Sequence, residues 1–124
     1  MMRRALLVFL AMLPLTAFAG GQSYDSARFS AAQRAGDAIL VVVSADWCPT
    51  CRKQDPTVAR LLETDEFSRI RMFKVDFDNQ EDALKAFNVK KQSTLILFKG
   101  KQEIARSIGE TRSEAIAQML RKAL

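Results

Sequence analysis

Apolar runs along the chain predict four β-strands. Residues 38–43 are apolar throughout and mostly β-branched from Ile39 on, a pattern typical of a strand buried on both faces, as in a parallel sheet. Residues 70–77 alternate between apolar and charged residues, Lys74 among the latter, and predict a second buried strand. A third strand is predicted at residues 94–98. The glycine turn that follows it indicates a hairpin into a fourth strand at about 103–108.

Helix signals precede the first strand and also follow it. A cap-like residue, Asp25 or Ser26, precedes an alanine-rich stretch that ends at Gly36, and this predicts a first helix behind a flexible leader at residues 20–23. Pro49 fits the first position of a second helix, because the N–H that proline lacks has no partner at that position in any case.

Two more helices are predicted, one after the second strand and one after the fourth. Asp78 or Asn79 can cap the third, and residues 111–114 form a capping box ahead of the fourth. Strands that alternate with helices predict an α/β fold, with a mixed sheet of four strands, or five, covered by helices on both faces. The strand at 38–43 is expected to be central, and residues 20–124 are expected to form this one domain.

The N-terminal segment has the features of a secretory signal. Two arginines within residues 1–4 precede the apolar run at 5–13, and residues 17–19 read Ala-Phe-Ala, a small-x-small cleavage pattern. Pro14 interrupts the apolar run well short of the roughly 20 residues that a membrane-spanning helix needs. We therefore expect residues 1–19 to be cleaved, and the mature protein to be periplasmic or secreted, without stable insertion in a membrane.

The charge distribution gives little support for nucleic-acid binding. Cleavage would remove Arg3 and Arg4, so the formal net charge of +5 would fall by two, to +3. The remaining lysines and arginines alternate with acidic residues and form no arginine stripe or aromatic platform. We therefore expect no nucleic-acid partner.

The two cysteines, Cys48 and Cys51, are the candidate reactive groups. A helix that starts at Pro49 places Cys48 at its cap, where the positive end of the helix favours a thiolate. A structural disulfide stabilises chiefly by closing a loop in the unfolded chain, and a bridge across two residues closes very little. The spacing therefore favours redox chemistry, and half of a metal site is the alternative.

The segment 47–51, Trp-Cys-Pro-Thr-Cys, at the end of the central strand resembles the active site of the thioredoxin family, as does the order of elements. The resemblance spans nearly the whole predicted mature chain, and it includes Pro56 in the second helix and Lys74 in the second strand. Residues 44–48 are most similar to periplasmic thioredoxin-like domains. The resemblance implies a thioredoxin fold and a thiol-disulfide oxidoreductase that needs no cofactor beyond its own redox-active disulfide.

The resemblance also implies roles for the residues of this segment. Cys48, nearer the helix start and expected to be more exposed, would be the attacking thiolate, and Cys51 would resolve the mixed disulfide. Pro49 and Thr50 would influence the redox poise, and Trp47 would shield one side of the site. The implied partners are protein disulfides, and the periplasmic relatives imply a reductant that receives its electrons from a membrane partner.

Two positions depart from the family pattern. Val42 stands where cytoplasmic thioredoxins have a buried acid, so the proton of the resolving thiol must pass to water linked to Lys74, to bulk water or to another group, and slow exchange near neutral pH is expected. Ser93 stands where the family has a cis-proline that faces the cysteines. Because a cis bond without proline costs about 2.5–4 kcal/mol, the Gln92–Ser93 bond is predicted to be trans. Gln92, Ser93 and Thr94 form the expected substrate-docking edge.

Two other functions stay open from the sequence. Without the proline, Cys48 and Cys51 can hold a soft metal or an iron–sulfur cluster, but the chain has no histidine, so a closed tetrahedral site would need two copies of the chain. A thioredoxin-like binding module with an inert disulfide and no catalytic activity is the other alternative.

Overall fold

The computed structural model describes residues 21–124, so the signal predicted at 1–19 lies outside the described residues. The strands of this part are β1 (Gln22–Ser23), β2 (Ala38–Ser44), β3 (Arg71–Asp76), β4 (Thr94–Lys99) and β5 (Gln102–Ile108). The helices are α1 (Ser26–Arg34), α2 (Pro49–Leu62), α3 (Glu81–Ala86) and α4 (Ser113–Arg121). None of the helices in the described part of the chain has the length and apolar content to cross a bilayer.

The strands form one mixed sheet in the order β1-β3-β2-β4-β5. The central strand, β2, pairs in parallel with β3 and antiparallel with β4. The predicted hairpin joins β4 to β5 at one edge, and β1 lies at the other. The α/β architecture predicted from the sequence is therefore confirmed, with five strands in the sheet.

All seven residues of β2 are buried, because the sheet carries a hydrophobic core on each face. Odd-numbered residues of β2 belong to one core, together with Phe29, Phe73, Phe87 and Phe98. Ala38, Leu40 and Val42 belong to the other core, together with Val58, Leu95, Leu97, Ile116 and Leu120. This double burial makes β2 a firm support for the segment that carries the cysteines.

Residues 21–23, the described part of the flexible leader predicted at 20–23, are held in place by the sheet. Strand β1 pairs in parallel with Phe73 and Lys74, and the Tyr24 N–H donates to the Lys74 carbonyl at 2.8 Å. Without β1, the outer edge of β3 would leave backbone groups without partners. Two residues are too few to leave a periodic pattern in the sequence, which is why the strand was not predicted.

The prediction that Asp78 or Asn79 caps α3 is wrong, because the cap residue is Gln80. The Asp76 carboxylate draws both predicted residues into a turn, accepting from the Asp78 N–H at 3.0 Å and from the Asn79 side chain at 2.8 Å. The Gln80 side chain closes the same turn by accepting from the Asp76 N–H at 2.9 Å.

The capping box predicted at residues 111–114 is also wrong. The cap residue of α4 is Arg112, and its guanidinium pairs with the Glu110 carboxylate at 2.8 Å. The Glu110 carbonyl accepts a hydrogen bond from the Gln54 side chain of α2 at 2.9 Å. A contact with a distant helix thus sets the path of the chain into α4 and overrides the local cap signal.

Candidate active site

The turn from β2 into α2 determines the position of Cys48. Cys48 has an extended backbone, with φ −82° and ψ 113°, and it caps α2 with Pro49 behind it, as predicted. Its Sγ accepts a hydrogen bond from the Cys51 N–H at 3.2 Å, the kind of bond that a serine or aspartate oxygen accepts at an ordinary helix cap. A thiolate at Cys48 therefore meets a backbone donor of the helix.

Both cysteines are buried free thiols. Each is only 1% exposed, and they pack with Ala45 and the partly buried Phe77. The expectation that Cys48 is the more exposed of the two is therefore wrong, because Ala45 and Ser93 lie against it. In such an environment of low dielectric constant, each hydrogen bond to sulfur has a larger effect than it would in water.

Ser93 lies between the two sulfurs. Its Oγ is 2.9 Å from the Cys51 Sγ and 3.3 Å from the Cys48 Sγ, and the residue is buried. Every peptide bond within residues 21–124 is trans, which confirms the prediction for the Gln92–Ser93 bond. Ser93 has a φ of 60°, in the left-handed region that residues other than glycine rarely adopt.

Hydrogen bonds lower the pKa of the Cys48 thiol. Burial by itself raises this pKa, because it disfavours the charged form. Hydrogen bonds from the Cys51 and Ser93 side chains, and from the backbone of Cys51 and Thr50, outweigh burial and bring the pKa below its ordinary value. This environment therefore favours a thiolate at Cys48.

Gln54 of α2 is a buried polar residue that was not predicted from the sequence. Its Nε2 donates to the Ser93 carbonyl at 3.1 Å and to the Glu110 carbonyl at 2.9 Å. Its Oε1 is buried and has no hydrogen-bond partner among residues 21–124. The available sequence signal was its spacing, since a residue three positions after Cys51 lies on the same face of the helix.

Asp55 of α2 brings a carboxylate to the end of β2 and to Lys74 of β3. Its Oδ2 accepts from the Ser44 hydroxyl at 2.7 Å and lies 3.4 Å from the Lys74 Nζ. Val42, Asp55 and Lys74 line one cavity of about 270 Å³. Asp55 follows Cys51 by four residues, so the two are neighbours on the helix surface, and this spacing could have indicated it from the sequence. A carboxylate of α2 thus lies beside Val42, where β2 has no acid.

Trp47 lies at the surface beside the buried thiols. It is 54% exposed, and its Nε1 donates to the Asp78 carboxylate at 2.9 Å. This bond joins the turn ahead of α2 to the turn ahead of α3, and it also explains why Asp78 does not cap α3. The shielding role expected for Trp47 stays a prediction.

The other residues predicted for the site differ in their surroundings. Pro49 is exposed, whereas Thr50 and Gln92 are half-buried. Thr94 is buried, and its hydroxyl donates to the Lys91 carbonyl at 2.7 Å. Thr94 therefore closes the turn ahead of β4.

Metal ligands are few around the thiol pair. Residues 21–124 contain no group of three or more His, Cys, Asp or Glu side chains placed to hold a metal ion. Because zinc and iron–sulfur sites are closed by four ligands, a metal bound to these cysteines would still need ligands from a second copy.

Comparison with known proteins identifies relatives along most of the chain. A family model described as Thioredoxin matches residues 22–122. Thioredoxin-2 from Saccharomyces cerevisiae is 31% identical over 96 residues, which cover 77% of this chain and 86% of that protein. A Thioredoxin H-type protein from Fagopyrum esculentum is 29% identical over 89 residues, which cover 72% of this chain and 75% of that protein.

Solved structures agree with these sequence matches. The crystal structure of Trxlp from Edwardsiella tarda EIB202 is 44% identical with a TM-score of 0.78, covering 80% of this chain and 96% of that one. Mitochondrial thioredoxin 3 from Saccharomyces cerevisiae, in its oxidised form, has a TM-score of 0.70 at 23% identity, covering 82% of this chain and 92% of that one, and supports the fold alone. The predicted thioredoxin fold is therefore confirmed.

Proposed function

Because this chain belongs to the thioredoxin family and is a thiol-disulfide oxidoreductase with its own cysteine pair, we propose that it reduces protein disulfides outside the cytoplasm, with Cys48 as the attacking thiolate. Thioredoxins act on protein disulfides and need no cofactor. The proposal adds the role of each cysteine, the direction of electron flow and the compartment.

The observation that carries the role of Cys48 is the set of donors around its sulfur. The Cys51 N–H and the Ser93 hydroxyl both lie within hydrogen-bond distance of it, and its pKa is lowered although burial raises it. The thiolate is the nucleophile in disulfide exchange. The Cys48 thiolate attacks one sulfur of a substrate disulfide, the substrate S–S bond breaks, and the departing sulfur leaves as a thiolate.

Cys51 then resolves the mixed disulfide. It loses its proton, attacks the Cys48 sulfur, and releases the second substrate sulfur as a thiolate, leaving a disulfide between Cys48 and Cys51. The two electrons of the reduced pair have then passed to the substrate, whose two thiolates take up protons. Support for this assignment comes from the placement of Cys51 one helical turn behind Cys48, beside Ser93.

The direction and the compartment rest on sequence features. The segment 44–48 resembles periplasmic thioredoxin-like domains, which favours a reductant that a membrane thiol donor recharges. The two arginines, the apolar run and the Ala-Phe-Ala pattern within residues 1–19 favour export and cleavage.

Fractionation and thiol trapping in cells test these points together. We expect the processed protein in the periplasmic or secreted fraction, with a mass that corresponds to cleavage after Ala19, and with Cys48 and Cys51 mostly reduced. Deletion or inhibition of the membrane donor should convert the pair to the disulfide. A full-length protein in the cytoplasm would contradict export, and a pair that is fully oxidised at steady state would contradict the reductant.

A further inference from the structure

The hydroxyl of Ser93 suits a pair made of one thiolate and one thiol. Its Oγ lies 2.9 Å from the Cys51 sulfur and 3.3 Å from the Cys48 sulfur. A hydroxyl has one proton to donate and two lone pairs to accept with. Accepting from the Cys51 thiol and donating to the Cys48 sulfur satisfies all three groups when Cys48 is charged and Cys51 is protonated.

The backbone of Ser93 is held in an unfavourable conformation by its surroundings. A φ of 60° is costly for a residue with a side chain, and such conformations persist where neighbouring groups enforce them. The Ser93 N–H donates to the Val43 carbonyl at 2.8 Å, and the Ser93 carbonyl accepts from the Gly109 N–H at 2.9 Å. The Gln54 side chain adds a third bond, to the same carbonyl, at 3.1 Å.

The unpartnered oxygen of Gln54 indicates that this glutamine is favoured for the hydrogen bonds that its Nε2 donates. Gln54 is fully buried, and its Oε1 has no partner within residues 21–124, which disfavours glutamine relative to an apolar side chain of the same size. An apolar side chain would lack the two hydrogen bonds that Nε2 donates to the carbonyls of Ser93 and Glu110. Those bonds hold the strained residue against the sulfurs.

We propose that Ser93 is a catalytic residue whose hydroxyl donates to the Cys48 thiolate, and that Gln54 is the positioning residue that holds Ser93 in place. This inference rests on the proposed function for the role of Cys48. The pKa of Cys48 agrees with it, because burial alone would raise that pKa and the Ser93 hydroxyl is among the hydrogen-bond partners that lower it.

The hydrogen bond has a consequence for the reduction potential. When two glutathione thiols reduce the Cys48–Cys51 disulfide, they supply two electrons and become glutathione disulfide; one of their two protons stays on Cys51 and the other goes to water, leaving Cys48 as a thiolate. Ser93 is unchanged, but its hydroxyl stabilises the reduced pair far more than the disulfide. Because a stabilised reduced form raises the potential, Ser93 makes the protein a weaker reductant than it would be without the hydroxyl.

Paired substitutions separate the hydroxyl from the backbone strain. Ser93→Ala and Ser93→Gly both remove the hydroxyl, but glycine also relieves the left-handed conformation. In the reduced protein we expect both variants to raise the pKa of Cys48 by about one to two units, measured from the ultraviolet absorbance of the thiolate against pH. The equilibrium constant for reduction by glutathione should fall by about 10- to 100-fold in both.

Two further variants complete the test. Gln54→Met keeps the volume and removes both Nε2 bonds, so it should shift the pKa and the potential in the same direction by a smaller amount. Ser68→Ala, at an exposed serine that bonds the Asp65 carbonyl, is the matched control and should change neither quantity.

Three outcomes would overturn the inference. An unchanged pKa and potential in both Ser93 variants would remove the hydroxyl from the mechanism. A shift in the alanine variant alone would assign the effect to backbone strain, and wild-type values in Gln54→Met would overturn its positioning role. All these readouts use glutathione and pH, so they stand even if the compartment or the direction of electron flow proposed above is wrong.

Discussion

The two segments that meet at the sulfurs are held by different kinds of interaction. The turn at residues 44–51 is held by its own neighbours, since the Cys48 N–H donates to the Ala45 carbonyl at 3.1 Å and the Cys48 sulfur accepts from the Cys51 N–H. The loop ahead of β4 is held by distant groups, with Ser93 bonded to the end of β2 and to Gln54 of α2. The nucleophile is thus a product of local structure, whereas the group that tunes it depends on the tertiary fold.

Substitution of the cysteines should have the largest effect and tests the locally built segment. Cys48→Ala should lower turnover with a protein disulfide such as insulin by at least about 1,000-fold, because no nucleophile remains. Cys51→Ala should lose turnover as well but should accumulate a mixed disulfide at Cys48, which mass spectrometry detects. Cys48→Ser keeps an acceptor at the helix cap and controls for folding. Accumulation of the mixed disulfide at Cys51 in Cys48→Ala would reverse the two roles.

Asp55→Asn should have the next largest effect and tests whether α2 replaces the acid missing at Val42. We expect closure of the Cys48–Cys51 disulfide to slow by about 10- to 100-fold near neutral pH, because the carboxylate beside Lys74 no longer accepts a proton. Single-turnover quenched-flow kinetics on a preformed mixed disulfide measures this step.

Asp37→Asn is the matched control for this substitution, since it also neutralises an aspartate that is paired with a cation, Arg71, at 3.4 Å. Its rate of closure should equal that of the wild type. An unchanged rate in Asp55→Asn would mean that water takes the proton from Cys51.

The lowered pKa of Cys48 predicts a dependence of stability on pH in the reduced protein. The unfolded chain keeps its proton up to the ordinary pKa of 9.0, whereas the folded protein loses it at lower pH. The free energy of unfolding should therefore rise with pH between the folded pKa and 9.0, by at most about 1.4 kcal/mol per pH unit, and this stabilisation is lost as the pH falls through the folded pKa. Urea unfolding in excess reductant measures the rise, and Cys48→Ser should lack it. An equal rise in Cys48→Ser would assign it to other groups.

The smallest expected effect concerns the backbone strain at Ser93, in the loop ahead of β4. Ser93→Gly should be more stable than Ser93→Ala by about 1 kcal/mol, because only glycine adopts a φ of 60° without a steric penalty. Chemical denaturation of the oxidised forms compares them. At the exposed Ser68, where φ is negative, the order should reverse. Equal stability of the two Ser93 variants would show that the backbone relaxes once the hydroxyl is gone.

Much of the fold could be predicted because it follows from periodicity. The apolar run at 38–43 is buried on both faces, as its lack of polar residues indicates, and the start of α2 at Pro49 follows from the chemistry of helix ends. The caps predicted at Asp78 or Asn79 and at residues 111–114 failed because contacts from other elements set these turns. The Asp78 carboxylate accepts from the Trp47 side chain, and the Glu110 carbonyl, ahead of the second turn, accepts from Gln54.

The site was predicted in part for similar reasons. Cys48, Cys51 and Ser93 do come together, and Lys74 pairs with Asp55 of α2. Gln54 and Asp55 were not predicted, because a polar residue on a helix is usually exposed, and their spacing of three and four residues from Cys51 was a weak signal that they share its side of α2.

By itself, the sequence determined that Cys48 stands at the start of a helix behind a buried strand, since both features depend on residues a few positions apart. Only the tertiary structure decided that the Ser93 hydroxyl reaches both sulfurs, that Gln54 bonds the Ser93 carbonyl, and that the Asp55 carboxylate lies beside Val42. The physical reason is distance along the chain. The contacts of Ser93 with Cys48 and Gln54 join residues about 40 positions apart, and Asp55 reaches Val42 from a different element, so these groups meet only when the sheet and α2 have packed together.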